Sequence, residues 1–393
     1  MEYVLMSDVV KNSDVAIKTG PFGTQLKASE YVECGTPVLN VRNLGFATVN
    51  TDKLEMVSDE TLERLAAHKL MTGDIVFGRK GAVERHAFIS ESENGWMQGS
   101  DCIRLRVLSD RINPRYLSYY FLTAQHKAFM VSMCSHGTTM ASLNQKIIEK
   151  IVVPLPSREV QDRIVSILLS LDKKAWENQK INENLQQQAQ ALFTQCYEQA
   201  DVSVPFTDLI QVLGGGTPKT GEASYWNGEI PFFTPKDVGT PYTLTTEKTI
   251  TQSGLEHCNS RLYPVNTVFV TARGTVGKVG LAGVPMAMNQ SCYALTGKSI
   301  SPLLTYHYTL MTVAHLKHKA SGAVFDAIIT RDFETETVKK LSDTLAEQFV
   351  AVASPIYECI LNNTLESQRL ADLRNALLPK LMSGELDASD IEL

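Results

Sequence analysis

Gly274-Thr-Val-Gly-Lys-Val is the stretch of this sequence nearest to a phosphate loop, and it fails as one. A nucleotide-binding loop has four residues between its glycines and a Ser or Thr after its lysine, so that backbone amides wrap the phosphates and the hydroxyl meets magnesium. Here only Thr275 and Val276 separate Gly274 from Gly277, and Val279 follows Lys278. His307, His315 and His318 are near in sequence, but no carboxylate or cysteine ligand set accompanies them. They read as solvent-facing helix residues rather than as a metal site. The seven cysteines are dispersed without a C-x-x-C pair, which argues for a reducing compartment and against a zinc ribbon. No serine, cysteine or paired-carboxylate constellation stands out. The expectation is a chain with no catalytic residue, cofactor or metal of its own.

What the sequence offers instead is a set of polar and basic residues on glycine-rich turns, found at corresponding places in both halves. In the second half these are Gly214-Gly-Gly-Thr-Pro-Lys-Thr with Thr217 and Lys219, Thr234-Pro-Lys-Asp with Lys236 and Asp237, and Ala272-Arg-Gly-Thr-Val-Gly-Lys with Arg273, Thr275 and Lys278; Asn289 and Gln290 follow. In the first half they are Lys18-Thr-Gly-Pro-Phe-Gly-Thr with Lys18 and Thr19, Asn40-Val-Arg-Asn with Arg42 and Asn43, and Gly78-Arg-Lys-Gly-Ala-Val-Glu-Arg with Arg79, Lys80 and Arg85. Glycine lets backbone come close to a phosphate, Lys and Arg neutralise it, and Arg, Asn or Gln pair with base edges. These sixteen residues are therefore the candidate DNA contacts; ordinary hairpin turns with solvated ends are the alternative.

These turns belong to a repeated plan. Gly35-Thr-Pro-Val-Leu-Asn-Val-Arg-Asn answers Gly228-Glu-Ile-Pro-Phe-Phe-Thr-Pro-Lys-Asp; Asp74-Ile-Val-Phe-Gly-Arg-Lys-Gly answers Asn266-Thr-Val-Phe-Val-Thr-Ala-Arg-Gly; Gly99-Ser-Asp-Cys-Ile-Arg-Leu answers Asn289-Gln-Ser-Cys-Tyr-Ala-Leu. Asn113-Pro-Arg-Tyr-Leu answers Ser301-Pro-Leu-Leu-Thr, and a Gly-containing loop follows each, Ser135-His-Gly-Thr-Thr and Ala320-Ser-Gly-Ala-Val. The matches keep one order at offsets of roughly 185 to 195 residues, so a domain-plus-helix unit occurs twice. Short β-type runs between glycines make each head a mixed α+β domain, and Asn113 with Pro114 reads as the N-cap and first residue of a short helix.

Each head leads into a long helix. From Arg158 to Cys196, residues Ile164, Leu168, Leu171, Ala175, Asn178, Asn182, Leu185, Ala189, Leu192 and Cys196 alternate steps of four and three, the seam of a coiled coil. Near the end, Phe349, Ala353, Ile356, Ile360, Asn363, Ser367, Leu370, Arg374, Leu377 and Leu381 repeat those steps, with Asn363 on the step that matches Asn178. Two copies of one unit tend to arrange about a pseudo-twofold axis, which makes the helices antiparallel partners of about 35 residues, or roughly 50 Å. Ser157 is placed to cap the first helix; Pro355 is expected to kink the second or restart it at Ser354, and Pro379 marks its last turns.

The 393 residues allow two or three domains, and 44% hydrophobic residues indicate globular folding. Met1 to Val10 lacks a basic start with an apolar core, and no apolar run approaches a membrane span. A net charge of -6 gives no global attraction to nucleic acid, so DNA contact requires segregated charge or a partner subunit.

Gly215-Gly-Thr-Pro-Lys, Tyr225-Trp-Asn-Gly-Glu-Ile-Pro, Thr234-Pro-Lys-Asp, Ala272-Arg-Gly-Thr-Val-Gly-Lys and Met288-Asn-Gln, with Val153-Pro-Leu-Pro, Gln161, Ile164 and Leu168, together make the sequence resemble the specificity subunit of type I restriction-modification enzymes. The likeness spans essentially the whole chain. It implies two target recognition domains (1–155 and 201–342), each reading one half of a split double-stranded DNA sequence, and two spacer helices (156–200, and 343–393 with the tail) that set the gap and dock two modification subunits. It further implies S-adenosylmethionine in those modification subunits, ATP and magnesium in restriction subunits that join them, and a cytoplasmic setting in a bacterium or archaeon. Two departures stand out: Lys18-Thr-Gly-Pro-Phe-Gly-Thr differs from the Gly-Thr-Pro form, and Glu84 replaces the glycine found at Gly277. A two-headed protein-binding adaptor is the alternative. An autonomous adenine methyltransferase is disfavoured, because Asn113-Pro-Arg-Tyr carries Arg115 where that motif has a second proline and no glycine-rich cofactor loop precedes it.

Overall fold

The computed structural model describes residues 2–21, 25–134, 142–319 and 327–391. Phe22 to Thr24 and the two Gly-containing loops that precede the long helices lie outside the described residues. The chain forms two compact units, Met1–Lys173 with Leu370–Leu393, and Lys174–Arg369.

In the first unit, strands Val15–Thr19, Cys102–Val107, Ile75–Gly78 and His86–Phe88 lie side by side in that order, all antiparallel. A second sheet runs Tyr31–Val32, Glu55–Val57, Thr36–Leu39, Met97–Gln98, its last pair parallel. The strand at Ile75–Gly78 is buried at every position, and its two faces serve different cores. Ile75 and Phe77 pack with Tyr116 and Leu117 of helix Pro114–Phe121, while Val76 packs with Leu39 and Leu44 toward the second sheet. That two-residue period, buried on both sides, explains why the run reads as continuously apolar. Asn113 caps the helix as its sequence predicts, its side chain accepting from the amides of Arg115 and Tyr116.

The second unit repeats this arrangement. Strands Ile210–Gly214, Cys292–Gly297, Val268–Thr271 and Val279–Ala282 take the same order, with Tyr242–Thr243 added at the edge, and Thr249–Ile250, Trp226–Phe233 and Ala287–Met288 form the second sheet. Phe269 again faces the opposite core from Val268 and Val270. The registers also match: Gly78 pairs with Cys102 in one head, Thr271 with Cys292 in the other. Each unit closes with a ribbon, Tyr3–Leu5 on Val152–Pro154 and Val202–Pro205 on Thr337–Lys340.

The two long helices, Arg158–Glu198 and Asp343–Ser383, have 41 residues each, a turn or two more than the seams require. Within the second unit they pack antiparallel: Phe193 meets Phe349, Asn182 donates to the Ile360 carbonyl at 3.3 Å, and Asn178 donates to Glu366 at 2.6 Å and to the Asn363 carbonyl at 3.4 Å. Asn363 in turn donates to Asn182 Oδ1 at 2.9 Å, so the asparagines expected to fix register bond across the seam. Within the first unit Ile164 and Leu168 pack with Leu377 and Leu381, and Arg374 pairs with Asp172 at 2.7 Å. All twenty seam positions are buried or half-buried.

Two expectations are corrected here. The second helix runs through Pro355 without a break. Pro355 and Ala351, whose carbonyl loses its helical donor, both lie on the exposed face, where that carbonyl is open to solvent instead of being buried unpaired. His307 is not solvent-facing: it is fully buried, its Nδ1 bonded to Gln190 Oε1 and its Nε2 to the Tyr357 hydroxyl, both at 3.0 Å. His315 and His318 are exposed as read, and His315 sits at 2.6 Å from Glu336. Among the described residues no helix is long and apolar enough to cross a membrane.

Candidate nucleic-acid interface

In the second head four chain segments meet at one end of the sheets. Strand Ile210–Gly214 is followed by Gly215, which lies so close to the chain at Asn289 that a Cβ would stand 2.1 Å from the Asn289 carbonyl oxygen. Only glycine permits that approach. It brings Thr217 to Gln290, whose side-chain oxygen accepts the Thr217 hydroxyl. The Asn289 amide donates to the Phe233 carbonyl at 3.0 Å, which draws in the turn Thr234-Pro-Lys-Asp. Asp237 holds that turn, accepting from the Thr234 amide at 2.8 Å, its hydroxyl at 2.6 Å and the Glu247 amide at 2.8 Å. Thr275 Oγ1 donates to the Pro235 carbonyl at 3.1 Å, joining the turn after strand Val268–Thr271. Gly274 and Gly277 adopt φ of 83° and 73°, and a Cβ on Gly277 would meet Lys317 Cε at 2.4 Å. Glycine takes this left-handed backbone without strain, and Arg273 and Lys278 beside the two glycines are exposed.

The cations at this edge are differently employed. Lys236 pairs with Glu247 at 3.3 Å, both side chains largely exposed, an ion pair weak enough for a phosphate to replace. Lys219, Arg273 and Lys278 are exposed and pair with no carboxylate among the described residues. The fold thus gathers Thr217, Gln290, Asp237, Thr275 and Asn289 with the turns that carry Lys236, Arg273 and Lys278, Asp237 being spent on shaping its turn, while Lys219 stands exposed two residues beyond Thr217.

The first head makes the same edge with a different charge distribution. A Cβ on Gly20 would stand 2.0 Å from the Gly99 carbonyl oxygen, the counterpart of Gly215 on Asn289. Lys80 and Arg273 occupy matching bridges, to Ser142 and to Ala327. Gly81 keeps φ at 78° as Gly274 does, whereas Glu84 remains in ordinary backbone where Gly277 is left-handed. Lys80 lies 3.5 Å from Asp101, and Arg42 is 3.1 Å from Glu55. The Arg79 amide donates to the Asp101 carbonyl at 2.8 Å. Thr19 Oγ1 accepts from Gln145 at 3.1 Å, and Lys18 is half-buried. Asn43 is fully buried: its amide nitrogen donates to the Asn50 and Asp52 carbonyls and its oxygen accepts from the Asn40 amide. Every polar atom of Asn43 is used inside the loop, so it shapes the loop and does not face a ligand.

Arg85 lies 5.7 Å from the centre of the exposed Phe46 ring and Lys127 at 4.4 Å, a cationic aromatic patch that sequence reasoning did not find. Phe46 sits alone between Gly45 and Ala47 and belongs to no periodic run, so nothing in the sequence marks it as exposed.

Fold and site together define a doubled α+β binding protein, each head presenting polar and cationic turns at the same end of its sheets. The family model for the type I restriction modification DNA specificity domain matches residues 8–187 and 202–339. The chain therefore belongs to that family: it is a specificity subunit, non-catalytic itself, that functions within a restriction-modification complex. It is similar to the MjaIX specificity subunit of Methanocaldococcus jannaschii, 33% identical over 30% of this chain and 29% of that protein. With the HindI specificity subunit of Haemophilus influenzae it shares 20% identity over 84% of this chain and 90% of that protein. The crystal structure of a type I restriction-modification S subunit from M. genitalium superposes with a TM-score of 0.56 at 12% identity, covering 97% and 96% of the two chains, which shows the shared fold.

Proposed function

We propose that each head reads one half of a split DNA sequence, that the two long helices set the gap between the halves, and that the assembly partners are two modification subunits, joined by restriction subunits. The modification subunits would carry S-adenosylmethionine and the restriction subunits ATP with magnesium. The setting is the cytoplasm, where the chromosome is. The observation that supports this most is the edge of the second head, where the close approach of Gly215 to Asn289 brings Thr217 to Gln290 and the Thr275–Pro235 bond joins the turn of Arg273 and Lys278 to that of Lys236. The acidic balance of the chain fits a subunit that holds DNA jointly with others, since modification subunits can enclose the duplex from the other side. Nothing in the comparisons favours a protein-binding adaptor.

The test is DNA retention by the assembled methyltransferase with Arg273→Ala and Lys278→Ala. If the side chain touches a base, its removal weakens binding by roughly 1 to 3 kcal/mol and relaxes one position of the site; if it touches a phosphate, its removal weakens all sequences alike and by less. Unchanged affinity and unchanged site preference in both variants would leave these residues as structural members of the turn.

A further inference from the structure

A cleft of about 610 Å³ opens on the first head beside the end of strand Val15–Thr19, lined by Lys18, Thr19, Arg64, Leu65, Ala67 and His68 among others. Its polar groups are set up for an anion. Lys18 has no carboxylate partner among the described residues. Arg64 is aimed by its neighbours, donating to the Gln25 carbonyl at 2.9 Å and to the Glu30 carboxylate. Behind the wall, Arg104 is 6% exposed, donates to the Lys69 carbonyl at 3.0 Å and has its Nε 4.0 Å from the Asp74 carboxylate. His68 is 8% exposed, and its Nδ1 has no hydrogen-bond partner. Gln98 fixes the strand end from inside by donating to the Lys18 carbonyl at 2.9 Å and the Cys102 carbonyl at 3.0 Å. Burial, with Lys18 and Arg104 close by, holds the His68 pKa below its ordinary value.

Lys18, without a carboxylate partner among the described residues, and the buried His68 ring, whose Nδ1 is unpartnered, are the groups left to meet an oxyanion, while Arg64 lines the cleft already paired with Glu30; charge-assisted bonds to an oxyanion are roughly twice as strong as neutral ones. Leu65 and Ala67 supply an apolar wall. The volume is far larger than a bare phosphate needs and accommodates a phosphodiester with its flanking sugars. At the strand end of the second head the chain is closely packed: a Cβ on Gly216 would meet the Asn259 amide nitrogen at 2.6 Å.

We propose that this cleft is a phosphodiester site in which Lys18, Arg64 and His68 grip one backbone phosphate of the DNA, fixing the register of the first head without reading a base. The proposal rests on the DNA-reading function above. It adds Arg64 and His68 to the interface and makes Lys18 a phosphate contact.

The test compares the assembled methyltransferase carrying Lys18→Gln or His68→Gln with the unsubstituted assembly, on cognate and non-cognate duplexes across a salt series. Lys18→Gln should weaken both duplexes by the same factor, about threefold to tenfold, and lower the slope of log affinity against log salt by about one unit. His68→Gln should weaken both duplexes equally with the slope little changed, and the methylated sequence should stay the same in each variant. In a parallel arm, inorganic phosphate is titrated into the full chain while the His68 ring resonances are followed by NMR. A His68 response to phosphate that disappears in Lys18→Gln, together with the salt-slope change, supports the site. A phosphate response without any effect on DNA would assign the cleft to a free anion and overturn the backbone grip. A changed methylation sequence would make Lys18 a base reader and overturn it equally. An unsubstituted assembly that retains no DNA would refute the DNA reading and this site with it, whereas normal DNA binding by both variants refutes the site alone.

Discussion

Acidification should loosen the first head, and the amount follows from two buried imidazoles. His86 is fully buried, its Nε2 2.9 Å from the Ser118 hydroxyl and its Nδ1 without a partner; His126 is 1% exposed with neither ring nitrogen bonded. Burial, reinforced for His86 by His126 and Lys127, pushes both pKa values down to about 3. In the unfolded chain each imidazole takes a proton near pH 6.5, so the unfolded state binds protons first as pH falls. Stability is then full above about pH 6.5, is lost progressively as pH falls toward 3, and changes no further from these groups below that. At pH 5 the gap of about 1.5 units corresponds to roughly 2 kcal/mol for each histidine, a large share of the 5 to 15 kcal/mol typical of a domain. The effect bears on function because strand His86–Phe88 begins directly after the turn that carries Arg79, Lys80 and Arg85. Urea denaturation at pH 7 and pH 5, followed through Trp96 as the tryptophan of the first unit, measures it. His126→Phe keeps an aromatic ring beside Tyr120 and Phe121 and removes one titrating group. The loss between pH 7 and 5 should shrink by roughly 2 kcal/mol in that variant. An identical pH dependence in both proteins would show that the buried imidazoles are not what the acid acts on.

Two further perturbations address the helices. Asn363→Leu leaves Asn182 Oδ1 without its 2.9 Å donor inside the seam and should destabilise the second unit by roughly 1 to 3 kcal/mol, whereas replacing Asn178, Asn182 and Asn363 together by Leu should restore or raise the melting temperature at the expense of register; a single variant as stable as the triple one would remove the asparagines from that role. Adding one heptad near Asn184, with a compensating heptad in the facing helix, lengthens the pair by about 10 Å and should widen the tolerated gap by around three base pairs. An unaltered gap in the methylated sequence would mean that the helices do not set it.

The seams were legible because burial repeats there with the helix itself: Ile164, Leu168, Asn178, Ala189 and Cys196 are buried at the steps of four and three that the sequence spells out. The doubled unit was legible because strands such as Val268–Thr271 and Ile75–Gly78 keep both their apolar run and the turn that follows. Other features depend on partners distant in the chain. His307 is buried by Gln190 and Tyr357, 117 and 50 residues away, and local polarity says nothing of that. Asn43 carries the residue type of a base reader, yet its amide is consumed by Asn50 and Asp52. Pro355 reads as a breaker because its cost is intrinsic, and only the exposed face on which it lies makes that cost small. The cleft at Lys18 forms where the chain after helix Asp59–Arg64 meets the end of strand Val15–Thr19, a juxtaposition set by the sheet and not by any motif.

Single-molecule mapping of methylated adenines, in a host carrying the chain with its modification partner, tests the central claim most directly when residues 1–150 are exchanged for those of a relative. One half of the methylated sequence should change while the other half and the gap remain. Both halves changing together, or neither, would contradict the reading of two independent heads.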